Sequence, residues 1–134
     1  MRFAEGDAMP ANAEVCSIRG PARSLMTAER AALNFLQHLS GVATLTNKFV
    51  KSVEGLPVRV TDTRKTTPLL RTLEKAAVRH GGGGNHRFGL FDGVMIKDNH
   101  IRLAGGVAAA IAAVRRARPA MPVEIEAQDL AQVD

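Results

Sequence analysis

Tryptophan and tyrosine are absent, and five phenylalanines, 4% aromatic content in all, are the only rings the chain can stack. Platforms for single-stranded nucleic acid lay bases on aromatic side chains, so that class loses support. Cys16 is the single cysteine, which excludes an internal disulfide and a cysteine-based zinc site. No segment is long and apolar enough to span a bilayer. The start, Met1-Arg2-Phe3-Ala4-Glu5-Gly6-Asp7, lacks the apolar run of a secretory signal. The expectations are therefore no membrane association and a cytoplasmic protein. No strand is followed by a Gly-x-x-x-x-Gly-Lys-Ser/Thr loop or a Gly-x-Gly-x-x-Gly fingerprint, which leaves nucleotide-triphosphate and dinucleotide binding without support. Internal repeats and low-complexity tracts are missing too.

What remains is a globular composition. The 134 residues are 46% hydrophobic, enough for one core. The net charge is +5 and the isoelectric point about 10.1, a balance that suits nucleic acid, an anionic membrane surface or anionic small molecules. Spread decides among them. Between Arg59 and Arg102 there are nine Lys or Arg and four Asp or Glu, interleaved with glycine and histidine. That dispersion favours an anion pocket over a nucleic-acid stripe, so no nucleic acid is expected as partner.

The periodicity sets out the elements. Glu14 to Arg19 alternates as a half-buried strand and closes at Gly20-Pro21; Ser24-Leu25-Met26 is a second short apolar piece. From Thr27, a capping residue with Glu29 in the first turn, Ala32, Phe35, Leu36, Leu39, Val42 and Ala43 recur at helical spacing. Phe49, Val50 and Val53 continue them after a break at Ser40-Gly41, and Gly55 and Pro57 end the segment. Val58 to Thr63 is β-branched and strand-like. Thr66 or Thr67 caps a helix with Pro68 at its start, Leu69, Leu73, Ala76 and Ala77 on its apolar face, and Gly81 at its end. Val94 to Ile96 reads as a buried strand, Val107 to about Arg118 as an Ala-rich helix, and Val123 to Ala127 as a third strand. Strands alternating with helices imply a parallel sheet with helical crossovers.

Chemistry concentrates in His80 to His100, which holds three of the four histidines. Gly81 to Gly84 cannot sustain a helix or strand and suits either a close backbone approach to a ligand or a linker. Asn85-His86-Arg87 follows. The strand exits carry Asp62-Thr63-Arg64-Lys65, Lys97-Asp98-Asn99-His100 and Glu126, and in a parallel α/β arrangement such exits gather round one mouth. Arginine forks and lysine point charges there fit a substrate with several negative charges. Taken singly, Arg64-Lys65 also reads as a solvated pair, His86 as a satisfied loop histidine, and Glu124 with Glu126 as the polar face of an amphipathic strand.

Five stretches taken together resemble the quinolinate phosphoribosyltransferases, the carboxylating nicotinate-nucleotide pyrophosphorylases. They are Glu29 to Asn34, Leu39 to Thr44, Asp62 to Pro68, the Gly-Gly-Gly-Asn-His-Arg run through Arg87, and Ile96 to His100. The resemblance implies an enzyme that joins quinolinate to phosphoribosyl pyrophosphate with decarboxylation, giving nicotinate mononucleotide, pyrophosphate and carbon dioxide, with Mg²⁺ required. Matched motif by motif, Arg64, His86, Arg87 and Lys97 hold the quinolinate carboxylates and Arg30 reaches the site from the neighbouring subunit of a homodimer. Lys65 faces phosphoribosyl pyrophosphate, and Glu126 stands at the ribose and Mg²⁺ end. Lys65, Lys97 and Glu126 are the expected catalytic groups.

The implied fold is α/β, a partial N-terminal α/β sandwich followed by the first part of a parallel α/β barrel. Residues 1–26 are then a remnant of the sandwich, 27–57 a connecting helical segment, and 58–134 the first three barrel strands. A second acidic residue and glycine-rich phosphate loops of the family have no counterpart here, so the 134 residues alone are not expected to turn over quinolinate. The competing expectation is a non-catalytic fragment that keeps anion binding, or a basic nucleic-acid-binding module.

Overall fold

The computed structural model describes residues 2–133; positions 1 and 134 of the expected terminal segments lie outside them. The chain divides into two units, residues 1–86 and 87–134.

The first unit is dominated by α1, Ala22–Ser52. It begins five residues before Thr27, so Ser24-Leu25-Met26 is helical and not a strand. Pro21 supplies the N-cap, and its carbonyl accepts from Leu25. Thr27 is not the cap. Its hydroxyl donates to the Arg23 carbonyl one turn back, as Thr44 donates to Ser40 and Thr46 to Val42. Such bonds let hydroxyl residues sit inside a helix. The expected break at Ser40-Gly41 does not occur: one interior glycine costs about 1 kcal/mol, too little to interrupt 31 residues. The expected strand over 14–19 is absent; Val15 accepts a single backbone bond from Arg2.

The second helix, α2 (Arg71–His80), starts later than the sequence suggests. Thr67-Pro68-Leu69-Leu70 forms a turn closed by Leu70 N–H to the Thr67 carbonyl at 3.0 Å. Pro68 therefore opens a turn and not the helix. Leu69 takes φ +67° and is fully exposed, instead of lining the apolar face. Ala77 and Lys75 are the buried residues of α2, and Gly81 caps its end as expected.

The glycine run packs tightly against its own chain. A Cβ on Gly81 would lie 2.4 Å from the Ala43 carbonyl oxygen of α1, and one on Gly83 2.8 Å from Thr46. A Cβ on Gly84 would strike the Arg59 guanidinium at 2.4 Å. These glycines let a loop close on α1 and on the 58–62 segment, so the run is no linker. Among the described residues, Gly84 also supplies the one ladder contact of the expected strand 58–63. Gly84 N–H donates to Val60 and Asp62 N–H donates to the Gly84 carbonyl, a single parallel bridge at Thr61. Consecutive pairs would be needed to extend it.

The second unit runs β1 (Val94–Ile96), α3 (Asp98–Ala104), α4 (Val107–Ala117), β2 (Val123–Ile125) and a short 3₁₀ turn at Leu130–Gln132. The strands pair in parallel, Val94 with Val123 and Ile96 with Ile125. Helix α3 was not foreseen. Gly105 at φ +84° ends it, and Gly106 N–H returns to the Ile101 carbonyl, which frees α4 to start in a new direction. Ile96, Ile101 and Ala110 form the buried core, with Val94, Val107, Ile111, Val114, Val123 and Ile125 packed on it. The α/β class and the parallel sheet with helical crossover are as expected.

Candidate active site

In the first unit, Arg30 lies exposed on α1. Arg64 and Lys65 lie on the loop before α2. The Arg64 carbonyl accepts from Arg71 Nη2 at 3.2 Å, while Arg71 Nε donates to Thr66 Oγ1. Glu74 holds the end of the same loop by accepting from Thr67 N–H at 3.1 Å. A side-chain hydrogen bond from Thr67, and after it the contact with His38, hold the Glu74 carboxyl below its ordinary value against the opposing effect of burial. Lys65 is exposed, its N–H bonded to Thr63 Oγ1.

His86 is fixed by a network centred on Lys75. Lys75 Nζ lies 2.5 Å from Asp62 Oδ1 and 2.9 Å from the His86 carbonyl oxygen. Asp62 Oδ1 accepts from His86 N–H at 2.9 Å, and Oδ2 accepts from Asn85 Nδ2 at 2.6 Å. Asn85 donates as well to the Lys75 carbonyl and accepts from Arg79. Lys75 is 3% exposed, the one buried charged residue among those described. Sequence reasoning missed it, since a lysine amid helix-forming residues carries no signal of burial. Asp62 stands at a strand exit by sequence, but no local pattern identifies its partner.

In the second unit, parallel register puts Lys97 and Glu126 one residue beyond the paired Ile96 and Ile125. Glu126 N–H extends the ladder to the Ile96 carbonyl, and the side chains meet with Lys97 Nζ 2.5 Å from Glu126 Oε1. Both remain about half exposed, at 45% and 52%. Lys97 N–H donates to His100 Nδ1, which caps α3 and fixes the lysine backbone. Arg87 donates from Nη1 to the Gly93 carbonyl at 2.8 Å.

The Nε atoms of Arg64 and Arg87 are, among the described residues, the only buried side-chain nitrogen or oxygen atoms without a hydrogen-bond partner. No group of three or more His, Cys, Asp or Glu among the described residues is arranged to hold a metal by itself. No described helix is long and apolar enough to cross a membrane.

These features define an α/β protein with guanidinium and ammonium groups displayed on loops and at parallel strand ends, suited to an anionic small molecule. The comparisons make the family particular. The model of the quinolinate phosphoribosyl transferase C-terminal domain matches residues 42–134, and that of the N-terminal domain matches residues 1–40. The chain belongs to the quinolinate phosphoribosyl transferase family. It is 46% identical over 133 residues to nicotinate-nucleotide pyrophosphorylase [carboxylating] of Mycobacterium leprae, covering 99% of this chain and 47% of that protein. It is 44% identical to quinolinate phosphoribosyltransferase [decarboxylating] 1 of Nicotiana glauca, over 98% of this chain and 38% of that one. The crystal structure of NadC from Streptococcus pyogenes matches with a TM-score of 0.92 and 51% identity, over 98% of this chain and 46% of that chain. The chain thus spans 38–47% of the length of these relatives. The two family models meet inside α1, near Ser40-Gly41, where the helix is continuous.

Proposed function

We propose that the protein carrying this sequence transfers the phosphoribosyl group of phosphoribosyl pyrophosphate to quinolinate with decarboxylation. The products are nicotinate mononucleotide, pyrophosphate and carbon dioxide. The observation that carries this reading is the buried Nε of Arg87 in the second unit, which has no hydrogen-bond partner; the Nε of Arg64 in the first unit is a separate instance of the same kind. A buried donor without an acceptor costs about 1–3 kcal/mol, and more on a charged group. Each guanidinium is thereby partly withdrawn from water with its hydrogen bonding incomplete, and an arriving carboxylate offsets that cost. Quinolinate brings two carboxylates on a pyridine ring.

The roles follow the family resemblance. Arg64, His86, Arg87 and Lys97 bind the dicarboxylate, and Lys65 faces the phosphoribosyl pyrophosphate. Arg30, exposed on α1, serves the site of a neighbouring subunit in a cytoplasmic homodimer. The quinolinate nitrogen bonds to the ribose carbon as pyrophosphate leaves with the electron pair of the broken C–O bond. The ring nitrogen is then positive. When the neighbouring C–CO₂⁻ bond breaks, that charge stabilises the electron pair left on the ring carbon, which takes up a proton. The cations stabilise the charge of the leaving pyrophosphate, and Glu126 that of the cationic ribose. Mg²⁺ commonly binds through one or two carboxylates plus substrate phosphates, so the lone Glu126 fits it without a protein-only cage. When bound, the ion supplies charge neutralisation at the pyrophosphate.

The test is titration calorimetry with quinolinate, together with an assay of nicotinate mononucleotide formation. Loss of a charge-assisted bond costs about 1.5–3 kcal/mol, so Arg87→Ala should raise the quinolinate dissociation constant at least about tenfold. Unchanged affinity in a folded Arg87→Ala protein overturns the assignment.

A further inference from the structure

We infer that Lys75 and Asp62 are positioning residues for quinolinate, acting through His86; this rests on the reading that His86 binds that substrate. His86 is gripped at both ends of its backbone by one buried ion pair. Asp62 Oδ1 accepts its N–H at 2.9 Å, and Lys75 Nζ donates to its carbonyl oxygen at 2.9 Å. The same two groups touch each other at 2.5 Å with only 3% and 8% of their side chains exposed.

A buried charge pair is a poor way simply to add stability, because desolvation offsets most of the attraction and apolar residues of like volume often do as well. Three well-directed donors do converge here on one carboxylate: the Lys75 ammonium, the His86 N–H and the Asn85 amide. They fix the direction in which residue 86 leaves the glycine run. The run itself is held only as far as Gly84, whose N–H donates to the Val60 carbonyl, and the Asp62 carboxylate takes over from there. Helix α2 is in turn anchored on the 64–67 loop through Arg71 and Glu74. One helix face therefore sets both loops that carry the first unit's quinolinate residues, and Lys75 is the link to His86. Displacement of a positioned binding group by a fraction of an ångström to an ångström weakens binding steeply.

The experiment compares Lys75→Met, Lys75→Arg, the charge-neutral double variant Asp62→Asn/Lys75→Met, and His86→Ala in the protein as its cell makes it. Thermal melts, quinolinate affinity by calorimetry, and KM for each substrate are recorded. Positioning predicts that the double variant recovers most of the melting temperature lost in Lys75→Met. It also predicts that the double variant keeps a KM for quinolinate raised at least about fivefold, with KM for phosphoribosyl pyrophosphate within about twofold of wild type. Lys75→Arg, which keeps charge and donors, should recover part of the quinolinate affinity. The inference is overturned if quinolinate affinity returns to wild type in the folded double variant, for the pair is then only structural. It is equally overturned if both KM values rise together. The His86→Ala arm separates the two levels. Weakened quinolinate binding there with a normal double variant removes the positioning role alone, whereas unchanged binding in His86→Ala removes the assignment of His86 and the inference with it.

Discussion

Two lysine–carboxylate pairs, one in each unit, have the same length and opposite surroundings. Lys75–Asp62 and Lys97–Glu126 both close to 2.5 Å, but the first is 3% and 8% exposed and the second 45% and 52%. Distance alone would rank them equal. In water the attraction between exposed charges is screened, and such pairs contribute roughly 0–1 kcal/mol. When a pair is buried, removal of one partner leaves a charge with nowhere to go. The buried pair is thus a fixed joint between Asp62, α2 and the His86 backbone. The exposed pair is a contact that an incoming anion or cation can exchange at little cost, as the proposed roles of Lys97 and Glu126 require. Between them stands His38–Glu74 at 2.8 Å, with side chains 44% and 12% exposed.

The most direct way to break this comparison is to remove each ammonium in turn. Lys75→Met should lower unfolding free energy by about 3–5 kcal/mol, whereas Lys97→Met should change it by less than about 1 kcal/mol. Urea denaturation measures both, and equal losses would mean that burial is not what separates the pairs.

A smaller change of opposite sign tests the loop that α2 holds. Leu69 occupies a left-handed backbone position and exposes its whole side chain. Glycine adopts that conformation freely, whereas an L-residue there costs about 1–2 kcal/mol. Leu69→Gly should therefore raise stability by about 1 kcal/mol, less the added entropy of the unfolded glycine. A lower melting temperature would show that Leu69 is held in place by a contact worth more than the strain.

The smallest effect lies at the intermediate pair. Glu74 has its folded pKa below its ordinary value of 4.5, so its contribution is complete above that pH and is lost as pH falls through the lower folded value. Glu74→Gln should lower the melting temperature by a few degrees at pH 7, a ΔΔG of about 1 kcal/mol or less, and the gap from wild type should close on acidification. A gap that stays constant from pH 7 to pH 3 would mean that the carboxylate charge contributes nothing.

Some of this was legible in the residues. The strand at 94–96 announced itself as an apolar run ending in charge, and the nearness of the exits that hold Lys97 and Glu126 followed from expecting a parallel sheet, whereas the contact between the two side chains did not. Helix α4 and the Gly81 stop were readable from spacing and composition. Less was legible where two elements compete for one stretch. Ser24-Leu25-Met26 reads as a short apolar piece apart from the helix, but α1 propagates backwards through it to Pro21, since adding a residue to an existing helix is far easier than starting a lone strand. Thr66 and Thr67 looked like caps, yet the Thr67-Pro68-Leu69-Leu70 turn takes the chain out of helical geometry until Arg71. Helix α3 spans only seven residues, too few for its period to stand out.

The sequence by itself determined the chemical inventory. A cationic chain poor in aromatics, with one cysteine and its motifs in a fixed order, sufficed to point to an anionic substrate and to the family. Each of those properties belongs to residues taken singly or to neighbours along the chain. Only the tertiary structure decided which of the cations is buried, which is paired at the surface and which keep a buried Nε without an acceptor. Lys75 and Lys97 are the same residue type, and what separates them is the water each has lost. That depends on atoms brought together from positions 62, 75, 85 and 86, or 97 and 126, and no local pattern encodes such distances. The glycines make the same point: the run is plain in the sequence, but that it leaves room for the Ala43 carbonyl, Thr46 and Arg59 is set by the folded chain.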